Sequence, residues 1–179
     1  MQPGTLYEIA DNVFRIASEK GFDAPDWETN FPAKLLLVIT ELDEAVQWIE
    51  GHGKDPIGVE LADTAIRLLS TLRSIWGRDW SAGRVEYRRV PSRIGTFEPL
   101  QVTVWPIIRN VCGAVECWRR NGTAPVNDFK EAMICMELAL LETFRAADRL
   151  GIDLHAEILA KAEKNAAREK LHGKGRSVG

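Results

Sequence analysis

The sequence predicts an all-α protein. Three observations carry that prediction. Apolar residues fall on one helical face in successive stretches of the chain. Glycines stand where those stretches end, at Gly21, Gly51, Gly122 and Gly151. Helix-starting residues, Asp55-Pro56, Asn127-Asp128 and Asp153, stand where others begin.

The first helix is expected over about residues 5–20, ending at Gly21. A loop holding Pro25, Trp27 and Phe31 follows. The second helix is expected from Pro32, a residue tolerated in a first turn, to Glu50, closed by Gly51-His52-Gly53. The third runs from Asp55-Pro56 to Trp76. Residues 77–104 change character, with Arg78, Arg84, Arg88, Arg89 and Arg93 beside Pro91 and Pro99. A short hairpin around Val85–Val90 is expected there, in a basic loop that faces solvent or closes over phosphates. The fourth helix is expected over 103–120, the fifth over 127–149 and the sixth from Asp153 to Leu171, with a frayed tail after Gly173.

A chain of 179 residues makes one domain the expectation, 1–179. The hydrophobic fraction of 45% and charged fraction of 27% are those of a soluble globular protein. A net charge of −3 gives no broad basic surface, which argues against nucleic acid as the main partner. Cys112, Cys117 and Cys135 form no CxxC pair and read as reduced thiols of a cytoplasmic protein. The N-terminus lacks the pattern of a signal peptide, and the run Leu35–Ile39 is too short to span a membrane.

Four carboxylates carry the chemistry. Glu41 and Glu44 are spaced three apart, as are Glu60 and Asp63, so each pair shares a helical face. Four anions at one point resist ionising unless a cation neutralises them. Oxygen ligands of this kind suit a hard divalent ion, Mg²⁺ or Mn²⁺. With about 100° per residue, Glu41 and Glu44 fall on the apolar face with Leu37, Val38, Ala45 and Trp48, while Asp43 and Glu50 fall on the solvated one. Glu60 and Asp63 share a polar stripe with Thr64, Arg67, Ser70 and Ser74, which a surface helix would also show. A short turn between the two helices makes them an antiparallel hairpin and brings the acid pairs together. In the sixth helix, Lys161, Lys164, Asn165 and Arg168 follow helical spacing beside the stripe of Leu154 and Ile158, an arrangement suited to an anion. A weak internal similarity links Glu44-Ala45-Val46-Gln47-Trp48 to Gly113-Ala114-Val115-Glu116-Cys117-Trp118, which makes the fourth and fifth helices a second hairpin without the acids.

In these residues the chain resembles the MazG-like, all-α nucleoside triphosphate pyrophosphohydrolases. The family's mark is E-E-x-x-E, a spacer, then E-x-x-D. Here it reads Thr40-Glu41-Leu42-Asp43-Glu44, then, after positions 45–59, Glu60-Leu61-Ala62-Asp63. Lys164-Asn165-Ala166-Ala167-Arg168 and the entrance Gly151-Ile152-Asp153-Leu154 also look like the family's last helix. Thr40 stands where the family has its first glutamate, and residues 77–140 look inserted relative to the shortest members.

The resemblance implies hydrolysis of a (deoxy)nucleoside triphosphate at the α-phosphorus, giving the monophosphate and pyrophosphate. It implies that Glu41, Glu44, Glu60 and Asp63 hold Mg²⁺ or Mn²⁺, with Glu41 or Glu44 as general base. Lys161, Lys164, Asn165, Arg168 and Arg67 would meet the phosphates, and Trp27, Phe31 or Trp48 the base. It also implies a homo-oligomer, dimer or tetramer, and leans towards deoxypurine substrates (dGTP, dATP). The rivals are a phosphoribosyl-ATP pyrophosphohydrolase, a non-catalytic nucleotide-binding bundle and a di-iron bundle. The last would need two Glu-x-x-His motifs, and only Glu169-x-x-His172 fits.

Overall fold

The computed structural model describes residues 6–21, 27–76, 103–121 and 130–168, with the side chains of residues 27–29 and 121 outside that description. These residues form the helices α1 (Leu6–Lys20), α2 (Trp27–Ile49), α3 (Ile57–Trp76), α4 (Trp105–Asn121), α5 (Lys130–Arg149) and α6 (Leu154–Ala167). Among the described residues there is no strand, and no helix is long and apolar enough to cross a membrane. The expected hairpin at 85–90, the arginines of the basic loop, the Asn127-Asp128 cap and the Glu169-x-x-His172 motif lie outside the described residues.

Two boundaries differ from the sequence expectation. First, α2 starts at Trp27, so Pro32 lies inside it. The reason is the apolar row Phe31, Leu35, Val38, Leu42 and Ala45, each completely buried, which begins before the proline. A proline within a helix costs about 3 kcal/mol, whereas each large side chain of that row contributes roughly 1.5–3 kcal/mol on burial. The row wins. Second, α6 ends at Ala167, and Arg168 caps it in an extended conformation. Its start is as expected, with the Asp153 side chain accepting from the Ala156 N–H at 3.2 Å.

The turn between α2 and α3 is set by glycines. Gly51 has φ +87°, and the Gly51 and His52 N–H groups donate back to Trp48 and Gln47 carbonyls, which closes α2. A Cβ on Gly53 would lie 2.4 Å from the Trp48 backbone, so only glycine passes there.

Helix α3 is the axis of the molecule. It packs against α1, α2, α5 and α6, while α4 packs on α5 and touches α2, and α1 touches α6. Leu61, Leu68, Leu69 and Leu72 of α3 are completely buried. Because neighbours surround it, part of its polar stripe is enclosed: Glu60 and Thr64 are buried, while Asp63, Arg67, Ser70 and Ser74 are half-buried. Arg73 joins α3 to α1, donating from Nε at 2.8 Å and Nη2 at 2.7 Å to Asp11 Oδ1 beneath the Tyr7 and Phe14 rings. At the other end of α1, Lys20 Nζ donates to the Arg168 carbonyl and so holds the end of α6.

Candidate functional site

The site forms where α2, α3 and α6 meet. One carboxylate oxygen from each of Glu41, Glu60 and Asp63 lies within 4.8 Å of the other two. Glu41 comes from the middle of α2, Glu60 and Asp63 from the first turns of α3. Glu41 is 7% exposed and Glu60 only 3%. Both are more buried than acids normally are without a counter-charge.

Each outer acid has a cation. Arg67, one turn beyond Asp63, donates from Nε to Glu41 Oε1 at 2.6 Å and also pairs with it through Nη2. Lys161 crosses from α6, its Nζ 2.5 Å from Asp63 Oδ2. The proton affinities follow. Burial raises Glu41 above the ordinary carboxylate range, although the Arg67 charge and hydrogen bond pull the other way. Glu60 is pushed up to about 7, first by burial and then by the charges of Glu44, Glu41, Asp63 and Asp55.

Glu44 differs from its expected setting. It is exposed beside Asp43 rather than held on the apolar face, although its charge reaches both Glu60 and Glu41. Its Cα lies about 60° round the helix from Glu41, far enough to leave the buried row on which Leu42 and Ala45 sit. Each pair therefore has one deeper member: Glu41, as expected, and Glu60 are enclosed, while Asp63 is half-buried and Glu44 stands at the rim.

Beside the acids lies a cavity of about 220 Å³ bounded by α1, α2, α3 and α6. Arg67, Lys161, Asn165 and Arg168 line it, as expected of the anion-binding set, and Asp63 joins it to the acid cluster. Lys164 is exposed and does not line it. Lys34 does, a fourth cation that the sequence reading missed. Its signal was available: Lys34 lies seven residues, about two helical turns, before Glu41. Val13, Ile16, Ala17, Leu37 and Ile66 supply an apolar wall. The wall from α1 has no sequence signal of its own, because it depends on how α1 docks. Asn165 Oδ1 is buried without a hydrogen-bond partner among the described residues, and so is Thr64 Oγ1. A buried amide oxygen lacking a donor is costly unless a ligand supplies one.

The aromatic candidates for the base fall elsewhere. Phe31 is completely buried and tilts against Trp118 with ring centroids 6.5 Å apart, so it is packing between α2 and α4. Trp48 is 44% exposed and lies one turn beyond Glu44, outside the cavity lining. The Trp27 side chain lies outside the described residues.

Three acids this close and largely enclosed make a donor set of hard oxygens that fits Mg²⁺ or Mn²⁺. No family model, no curated protein and no solved structure matches the chain. The chemistry of the site is therefore the basis for reading its function.

Proposed function

We propose that the chain is a metal-dependent nucleoside triphosphate pyrophosphohydrolase, cleaving a (deoxy)nucleoside triphosphate to the monophosphate and pyrophosphate. One observation carries the reading: an enclosed three-carboxylate cluster shares Asp63 with a cavity lined by Lys34, Arg67, Lys161 and Arg168. Acids alone would fit many structural roles, and cations alone many anions. Their adjacency fits a substrate that carries a metal and a polyphosphate together.

In this reading Glu41, Glu60 and Asp63 would hold the divalent ion, with Glu44 completing the set from the rim. Such an ion would supply positive charge against the phosphates and would lower the pKa of a water. Glu44, open to solvent, would orient the attacking water as general base, with Glu41 as the other candidate. Arg67, Lys161, Arg168 and Lys34 neutralise the phosphates, and Asn165 orients the ligand. The α2–α3 pair is then the catalytic hairpin of a single MazG-like domain. The α4–α5 pair is the inserted second hairpin, and a homo-oligomer in the cytoplasm is its working form. The apolar wall of α1 gives the nucleoside an alternative to the aromatic residues.

The test is the purified protein with each NTP and dNTP and with phosphoribosyl-ATP, in Mg²⁺ or Mn²⁺, with pyrophosphate resolved from orthophosphate. A nucleoside monophosphate with pyrophosphate is expected, deoxypurine triphosphates being the favoured substrates. Turnover confined to phosphoribosyl-ATP selects that rival, and binding without turnover selects the non-catalytic bundle. Glu41→Gln is expected to abolish turnover with helical content unchanged.

A further inference from the structure

We propose that Arg67 and Lys161 are exchangeable counter-cations: a divalent ion takes Glu41 and Asp63 from them, and the released cations turn into the cavity to bind phosphate. This inference rests on the proposed function and adds an order of binding, metal before anion.

The geometry sets up the competition. Arg67 holds Glu41 through Oε1, and Lys161 holds Asp63 through Oδ2, so each cation sits on a carboxylate of the cluster that a metal would use. Magnesium requires its oxygen ligands at about 2.0–2.1 Å. An ammonium or guanidinium on the same carboxylate is repelled by a divalent charge at that range. Both cations also line the 220 Å³ cavity, so side chains leaving the acids have an adjoining space to enter. Lys161 is mostly enclosed, its side chain 10% exposed, so it exchanges one polar partner for another rather than for bulk water. While paired with the acids, the two cations are neutralised and attract an anion weakly. Metal and phosphate therefore strengthen each other's binding, by one shared factor.

Opposite substitutions separate this from a merely structural ion pair. Asp63→Asn frees Lys161 without any metal, and inorganic phosphate titrated calorimetrically into that variant in chelator is expected to bind about tenfold tighter than to the wild-type chain. The double variant Asp63→Asn/Lys161→Met is expected to lose that gain. Phosphate affinity unchanged in Asp63→Asn, or a gain that survives in the double variant, overturns the exchange. In the other direction, Lys161→Met is expected to bind Mn²⁺ alone about tenfold tighter, while Lys161→Arg, which keeps the charge, binds it as the wild type does. Arg67→Gln is expected to tighten Mn²⁺ in the same sense, and serves if Lys161→Met loses its helical circular dichroism. Mn²⁺ binding that is retained but no tighter in these variants overturns the exchange and leaves the metal reading standing. A wild-type chain that binds no Mn²⁺ removes the metal reading, and with it the order of binding.

Discussion

The α2–α3 pair and the α4–α5 pair share a local sequence pattern and use it differently. Ala45 in α2 and Ala114 in α4 are both completely buried, and each is followed by a half-buried valine. Before the alanine, α2 has Glu44 at the rim of the acid cluster, whereas α4 has Gly113 against Cys135 of α5. A Cβ at position 113 would lie 3.3 Å from the Cys135 sulfur, so the missing side chain lets two helices approach closely. The inner face of α5 is Ala132, Met133, Met136, Ala139, Leu140 and Phe144, with the lone hydroxyl of Thr143 bonded to the Ala139 carbonyl. The corresponding partner of α2, α3, carries Glu60, Asp63 and Arg67 inwards. Ion pairs differ in the same way. Those of α2 and α3 join separate helices in enclosed surroundings, while Glu116 with Arg119 and Arg120 forms an exposed cluster within one stretch of α4. One pair concentrates charge where it costs stability, and the other is built for packing.

Removing the enclosed charge should produce the largest effect. Glu60→Gln is expected to lower turnover on the order of a hundredfold or more while making the fold more stable in alkaline solution. The sign follows from Glu60 being pushed up to about 7 from an ordinary 4.5. Between those values the folded chain holds a proton that the unfolded chain has released, so stability falls as pH rises from 4.5 to 7. The loss is roughly 3 kcal/mol at its upper limit, and thermal unfolding of both proteins at pH 5 and pH 8 measures it. A Tm gap that does not widen with pH would mean that Glu60 is not the stressed group.

Gly113→Leu tests the packing half of the comparison. Overfilling the α4–α5 contact is expected to cost about 1–3 kcal/mol in denaturant unfolding, with Mn²⁺ affinity unchanged. Weakened Mn²⁺ binding would show that the two pairs are not separable. Arg73→Ala, which strips α1 of its tie to α3, is expected to cost about 1–2 kcal/mol, since Asp11 is exposed and the loss is mostly one of packing and hydrogen bonds. Smallest of all, Glu116→Ala is expected to leave Tm unchanged, because its partners are one turn away in solvent.

The helices and the acid motif were legible because both are local patterns. Spacing of three placed Glu60 and Asp63 on one face, and the Gly51–Gly53 turn returned α3 along α2. Depth was not legible. Whether a polar stripe meets water depends on how many helices surround it, and α3 has neighbours on the side where Glu60 points. Pro32 misled as a start signal because the row from Phe31 onward outweighs one missing N–H. Lys161 and Arg168, two of the cavity's four cations, were readable from helical spacing in α6, but most of its apolar wall comes from α1, far away in sequence.

Under the proposed function, water attacks the α-phosphorus beside Glu41, Glu60 and Asp63. Turnover of a deoxynucleoside triphosphate in ¹⁸O-labelled water, with Mg²⁺ present and the products resolved by mass spectrometry, tests it directly. One heavy oxygen is expected in the nucleoside monophosphate and none in the pyrophosphate. Label in orthophosphate or in pyrophosphate would place the attack at another phosphorus and contradict it.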